Sequence, residues 1–224
     1  MTGFGWKRFA MGANRSRIVK WYLSFFLSER TATVSAVLAL AMMPIVLYFG
    51  ALAGTLDLAE TYDLIIRFLL VATLLHSIRK HRLLLMQAAT VGLLFCMLCA
   101  QSQYSLRELV GADTETYITM GLQGFIFLAG ELMVLFVQSL VCVDHFVVHV
   151  ARRRGATRLF VNRAAILFLL ALLVVQLIIA PTLSFGHAYV LHVWTLHLDE
   201  LVIFVLLMCA ELILMVDSKA LVEE

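Results

Sequence analysis

Apolar residues run through this chain in long blocks rather than alternating with polar ones. Six blocks, at residues 31–53, 61–78, 83–101, 117–148, 160–181 and 196–216, are read as helices. Several contain stretches of about 20 residues without a charge, the length that crosses roughly 30 Å of hydrocarbon. A spanning segment must satisfy its own backbone hydrogen bonds there, which a helix does alone. The short alternating segments of a membrane barrel are missing. The expected fold is therefore all-α, a polytopic transmembrane bundle of six spans. Pro44 should kink the first span and Pro181 end the fifth. The second span carries Arg67, and the apolar part of the sixth is short.

Ahead of the first block, RSRIVKWYLSFFLSER repeats Ile18, Trp21, Tyr22, Phe25 and Phe26 at helical spacing, with Arg15, Arg17 and Lys20 beside them. That pattern predicts an amphipathic helix lying in the headgroup region. The segment has neither the unbroken apolar core nor the small-residue cleavage site of a signal peptide. The expected organisation is an interfacial segment at 1–30, a membrane domain at 31–218 and a short tail at 219–224, with no soluble domain.

Composition strengthens this reading. Of 224 residues, 62% are hydrophobic and 14% charged, against roughly 45–50% and about 25% for a soluble domain. The mean hydropathy is +0.96. Charge placement then orients the spans. Lys7, Arg8, Arg15, Arg17, Lys20 and Arg30 precede the first, and Arg79, Lys80 and Arg82 follow the second. Arg152, Arg153, Arg154, Arg158 and Arg163 follow the fourth, and Lys219 the sixth. Fifteen of the seventeen Lys and Arg thus fall on one face. The other is assigned Asp57, Glu60, Asp63, Glu108, Asp113, Glu115, Asp199 and Glu200, with Arg107 alone against them. An excess of Lys and Arg marks the cytoplasmic side, so both termini are expected in the cytoplasm, in a bacterial inner membrane. The short basic turns should meet anionic lipid headgroups rather than nucleic acid.

The fourth block, FIFLAGELMVLFVQSLVCVDHFVVHV at 125–150, carries the most informative polar residues. At about 100° per residue, Glu131, Gln138, Cys142, His145 and His149 share a sector of roughly 60°. A charge in the bilayer core costs at least a few kcal/mol, so this stripe must face other helices or water. His197, Glu200 and Glu211 give the sixth span a polar face too. Asp63 and Arg67 are spaced to pair along the second. Depth counting at 1.5 Å per residue brings Arg67 within reach of Glu131, and that pair is expected to neutralise the carboxylate. Glu211 is expected to meet Gln138, His76 or His145. Arg67, Glu131, Gln138 and Glu211 are the candidate ion-pair or proton-relay residues. The competing reading makes them packing glue between spans, which is favoured for Gln138 and Cys142.

Other chemistry is sparse. Cys96 and Cys99 form a CxxC, read with Cys142 and Cys209 as small buried hydrophobes; no disulfide and no metal site is expected. His187, His192 and His197 lie five apart and do not share one helix face. Neither HExxH nor GxSxG is present, and an intramembrane enzyme would need such a set at one depth. With two prolines and twelve glycines, no pair of broken helices marks a carrier's midplane site. The favoured function is a non-enzymatic subunit of a transport, conduction or signalling assembly, as a homo-oligomer or with a partner membrane protein and without a cofactor. The alternative is a membrane anchor holding haem b between His76 and His145 or His149, since such sites need histidines from two helices at matching depth.

Overall fold

The computed structural model describes residues 21, 24–110, 119, 121–145, 156–182 and 186–220. These form α1 (Glu29–Ala53), α2 (Leu58–Arg79), α3 (Leu83–Val110), α4 (Leu122–His145), α5 (Ala156–Ile179), a 3-10 turn (Ala180–Thr182) and α6 (His187–Ala220), without a strand among the described residues. The fold is all-helical. Five helices, α1 to α5, contain segments long and apolar enough to cross a membrane. Of the helix predicted over residues 15–30, residues 15–20, 22 and 23 lie outside the described residues. Trp21 and residues 24–26 are helical, the Trp21 ring stacks on Phe25 at 5.6 Å, and Phe26 is buried in the core. Of the tail expected at 219–224, residues 219 and 220 end α6 and the last four lie outside the described residues.

Local chemistry places the helix ends. The Asp57 side chain caps α2 by accepting from the Glu60 amide at 2.7 Å, which satisfies an orphan N–H of the first turn. Gly54 ends α1 with φ 70°, a left-handed conformation that glycine adopts without steric cost. α1 continues through Pro44 as one helix, and α5 gives way to the 3-10 turn one residue before Pro181. α3 and α6 depart furthest from expectation. α3 runs on through the polar residues 102–110. α6 begins at His187, nine residues before the predicted span, because its first turns are polar yet shielded by neighbours.

Neighbours in sequence are neighbours in space from α1 to α5, and α6 closes the arrangement between α5 and α1 while also touching α2 and α3. The broadest contact is α1 against α6. The buried face of α1 is Ala32, Ser35, Ala36, Ala39, Met43, Val46 and Gly50, a three-and-four spacing of mostly small side chains. Such a face lets two membrane helices approach closely. None of residues 188–214 in α6 is exposed. Large apolar side chains point outward elsewhere: Ile45 and Leu52 on α1, Ile66 and Leu69 on α2, Phe136 and Leu140 on α4, Phe168 and Ile178 on α5. In water this would be an intolerable apolar surface; against lipid it is the expected one. α6 is the inner helix, which explains why it alone is rich in buried polar residues.

Candidate functional site

Two ends of the bundle serve as reference: the basic end, with Arg79, Lys80 and Arg82 in the α2–α3 turn, and the far end, with the α1–α2 loop. Arg67 lies nine residues into α2 from the far end, Glu131 nine into α4 and His197 ten into α6. At 1.5 Å per residue that is about 13–15 Å of depth on each helix. The folding of three separate segments brings them to one level.

At this level a connected chain of buried polar groups crosses the molecule. The Cys96 thiol on α3 donates to Asp63 Oδ1 at 2.8 Å. Asp63 Oδ2 holds Arg67 Nη2 at 2.6 Å, the spacing of four predicted to pair. Arg67 Nη1 stands 4.0 Å from Glu200 Oε1 on α6. One turn earlier on the same helix, His197 places Nδ1 3.5 Å from Glu200 Oε2 and Nε2 3.1 Å from Glu131 Oε1 on α4. Both imidazole contacts are close but lie off the hydrogen-bond direction. Glu131 also accepts from Gln101 Nε2 of α3 at 2.6 Å and from Gln176 Nε2 of α5 at 3.0 Å. The Gln176 amide donates in addition to the Phe127 carbonyl at 2.9 Å, and the Phe127 ring meets His197 edge-on at 6.0 Å. Arg67 is 2% exposed and Glu131 fully buried.

All four residues singled out from sequence are buried, but the structure distributes them differently. Arg67 does not pair with Glu131. Asp63, one turn away, takes the guanidinium, and α2 packs on α1 and α3, so that α3 stands between Arg67 and α4. Glu131 is met by His197 and two amides instead. Gln138 lies on the buried face of α4 with Val134, Val137 and Val141, and its amide makes no hydrogen bond. It therefore does not meet Glu211, which is buried on α6, because α4 reaches α6 through Phe127 and Glu131 nearer the far end. His76 is exposed on α2, and the side chain of His145 and residue His149 lie outside the described residues. Among the described residues no paired-histidine site forms, nor any group of three or more His, Cys, Asp or Glu placed to hold a metal ion.

Asp63, Asp199 and Glu200, assigned from charge to the acidic end of the spans, lie within the bundle, as the Asp63–Arg67 spacing and the polar face of the sixth span anticipate for two of them. Asp199 is fully buried, Glu200 2% exposed and Asp63 17%. Gln101 and Gln176 are functional neighbours that sequence reasoning missed. Gln176 had a signal: it is the one amide in the apolar run ILFLLALLVVQLII, and an unpaired amide in hydrocarbon is costly. The five-residue spacing of the far-end histidines does send them to different neighbours. His192 turns to α2, where its Nε2 lies 3.1 Å from Glu60 Oε1, and its ring packs against Gly50 of α1.

Chemically, the chain divides at Arg67. A guanidinium keeps its proton in proteins, so Arg67 is a fixed charge that anchors Asp63 and faces Glu200. The other half, Glu200–His197–Glu131, sets an imidazole between two carboxylates. An imidazole can accept a proton on one nitrogen and release one from the other, so this half holds the groups that proton exchange requires. Comparison with protein-family models, with curated proteins and with solved structures finds no match to this chain.

Proposed function

We propose that this chain is a non-enzymatic, multi-pass protein of a bacterial inner membrane, with α6 as a sixth span and both termini in the cytoplasm. It works as the membrane-embedded subunit of a transport, conduction or signalling assembly, as a homo-oligomer or with a partner membrane protein. The observation that carries this reading is the buried Asp63–Arg67–Glu200–His197–Glu131 chain linking α2, α6 and α4. Packing between membrane helices is achieved by small side chains and isolated hydrogen bonds; α1 and α6 pack in that way. A run of ionisable groups at one depth goes beyond that need, and such groups mark ion or proton pathways. The helices that bear it are continuous, without the broken pair that builds a self-contained carrier site, which favours a component of a larger assembly. The exposed Arg79, Lys80 and Arg82 of the α2–α3 turn suit anionic headgroups.

Solubilisation in a mild detergent, followed by mass measurement of the intact complex, tests the assembly. A stoichiometric partner membrane protein, or a defined homo-oligomer, is the expected result. A lone monomer from native membranes would overturn the subunit reading. Topology is checked separately: reporters fused after residues 57, 110 and 186 should read extracytoplasmic, and those after 80 and 155 cytoplasmic. The opposite reading at 155, within the largest basic turn, would reverse the orientation.

A further inference from the structure

The buried chain contains more acid than base. Asp63, Glu131, Asp199 and Glu200 face one guanidinium, Arg67, and one imidazole, His197. Geometry assigns each base a carboxylate: Arg67 sits 2.6 Å from Asp63, and His197 3.1 Å from Glu131. Asp199 and Glu200, consecutive on α6, are left without a counter-charge of their own. Glu200 stands at 4.0 Å from Arg67 and 3.5 Å from His197, both already engaged. Asp199 is fully buried, and neither of its carboxylate oxygens has a hydrogen-bond partner; Glu200 Oε2 has none either. Two adjacent ionised carboxylates in this position would face a cost of desolvation and of mutual repulsion that one guanidinium, already shared with Asp63, offsets only in part.

Among the described residues no other helix relieves them. The charged groups within reach of Asp199 are Arg67 and Asp63 on α2 and Glu200 on its own helix. Cys96 of α3 is occupied with Asp63, and Glu131 of α4 is reached only through His197. Neither α1 from residue 31 to 53 nor residues 164–182 of α5 and the turn after it contain any Asp, Glu, Lys, Arg or His.

We propose that the Asp199–Glu200 pair is a reversible proton-binding site, which makes the proton the cargo or signal of the assembly. This rests on the reading of the charge chain as the working part of the protein. A proton fits better than a metal cation: it needs one oxygen rather than a cage, and the described residues form no such cage. Its path onward is short. With His197 neutral, its proton on Nε2 and its ring turned into line with the two carboxylates, Glu200 releases a proton to Nδ1 as an O–H bond breaks and an N–H bond forms. His197 Nε2 then gives its own proton to Glu131, whose carboxylate becomes the acid, and the imidazole returns to neutrality.

Infrared spectroscopy of the full chain in lipid vesicles at neutral pH tests this directly. The wild type should show the carbonyl stretch of protonated carboxylic acid, shifted in D2O. Asp199→Asn should remove a substantial part of it, as expected for a buried carboxyl whose two oxygens have no hydrogen-bond partner. No such band in the wild type, or one unchanged by Asp199→Asn, would overturn the proposal. Asp199→Asn is also the neutral isostere of the protonated acid, so its melting temperature should match the wild type; a large fall would show that the ionised form is the one required. Melting should be the same in sodium, potassium and choline chloride. A rise specific to sodium would replace the proton with a metal cation and reject the site as stated. These outcomes do not depend on whether a partner subunit is found, so each reading fails on its own measurement.

Discussion

Arg67→Gln should be the most damaging single substitution in this protein. The guanidinium is the fixed cation for Asp63 at 2.6 Å and the nearest one to Glu200 at 4.0 Å, and Asp199 lies within its field. Removing one member of a buried pair leaves an uncompensated charge, a loss on the order of 3–5 kcal/mol. Thermal unfolding in detergent should therefore show a marked fall, with reduced yield from membranes. Asp63→Asn added to Arg67→Gln should recover a large part of it, because the stranded carboxylate goes too. Glu131→Gln added to Arg67→Gln should show far weaker coupling than Asp63→Asn does, because Arg67 and Glu131 share no direct contact and are linked only through Glu200 and His197. The partners of Arg67 are Asp63 and Glu200; those of Glu131 are Gln101, Gln176 and His197. A double variant with Asp63→Asn no more stable than Arg67→Gln alone would sink this account. Strong coupling to Glu131 would restore the pair expected from depth counting.

The contrast between those two expectations marks how far the sequence reaches. Helical period decides which side of a helix a residue occupies, so the burial of Glu131 and Gln138 on one face of α4 and the Asp63–Arg67 pair within α2 were legible. Both depend only on intervals along one helix. Which helix stands opposite is a different quantity, set by how the spans pack. Depth counting put Arg67 within reach of Glu131 along the membrane normal, yet α3 lies between α2 and α4. Charge alone put Asp63, Asp199 and Glu200 at the acidic end of the spans, while helical spacing sets Asp63 against Arg67 and Glu200 on a polar face of α6, leaving Asp199 as the burial without a local signal. The position of these acids near span ends resembles an outer loop, and α6 is unusual in being wrapped by its neighbours, so its polar turns need no water. The same shielding hid the start of α6: a hydropathy pattern registers contact with lipid, which this helix largely lacks. Gln101 and Gln176 are amides at the end of one apolar run and inside another, with nothing local to say that both converge on one carboxylate.

A methyl group at position 130 would act on that carboxylate without touching any charge. Gly130 lies beside Glu131 on α4, and a Cβ there would stand 2.5 Å from Gln176 Nε2, 2.8 Å from its Cδ and 2.9 Å from its Oε1. The end of a glutamine side chain usually swings away from such a clash. Here it is 1% exposed and tied to the Phe127 carbonyl at 2.9 Å and to Glu131 at 3.0 Å, so moving it breaks both bonds and withdraws a donor from a buried carboxylate. Gly130→Ala should therefore destabilise by on the order of 1–3 kcal/mol, the range for overpacking a filled interior. It should do so despite the better helix propensity of alanine, about 1 kcal/mol in its favour. Gly92→Ala on α3 is the control. Its Cβ would meet the Leu70 side chain at 3.1 Å, a branched apolar tip with no hydrogen bond to lose, and its melting temperature should stay near the wild type. Gln176→Ala removes the obstacle, so adding Gly130→Ala to it should cost little beyond Gln176→Ala alone. If the two substitutions instead add in full, the glycine is there for another reason, and Gln176 is not held against Glu131 by the space that Gly130 leaves.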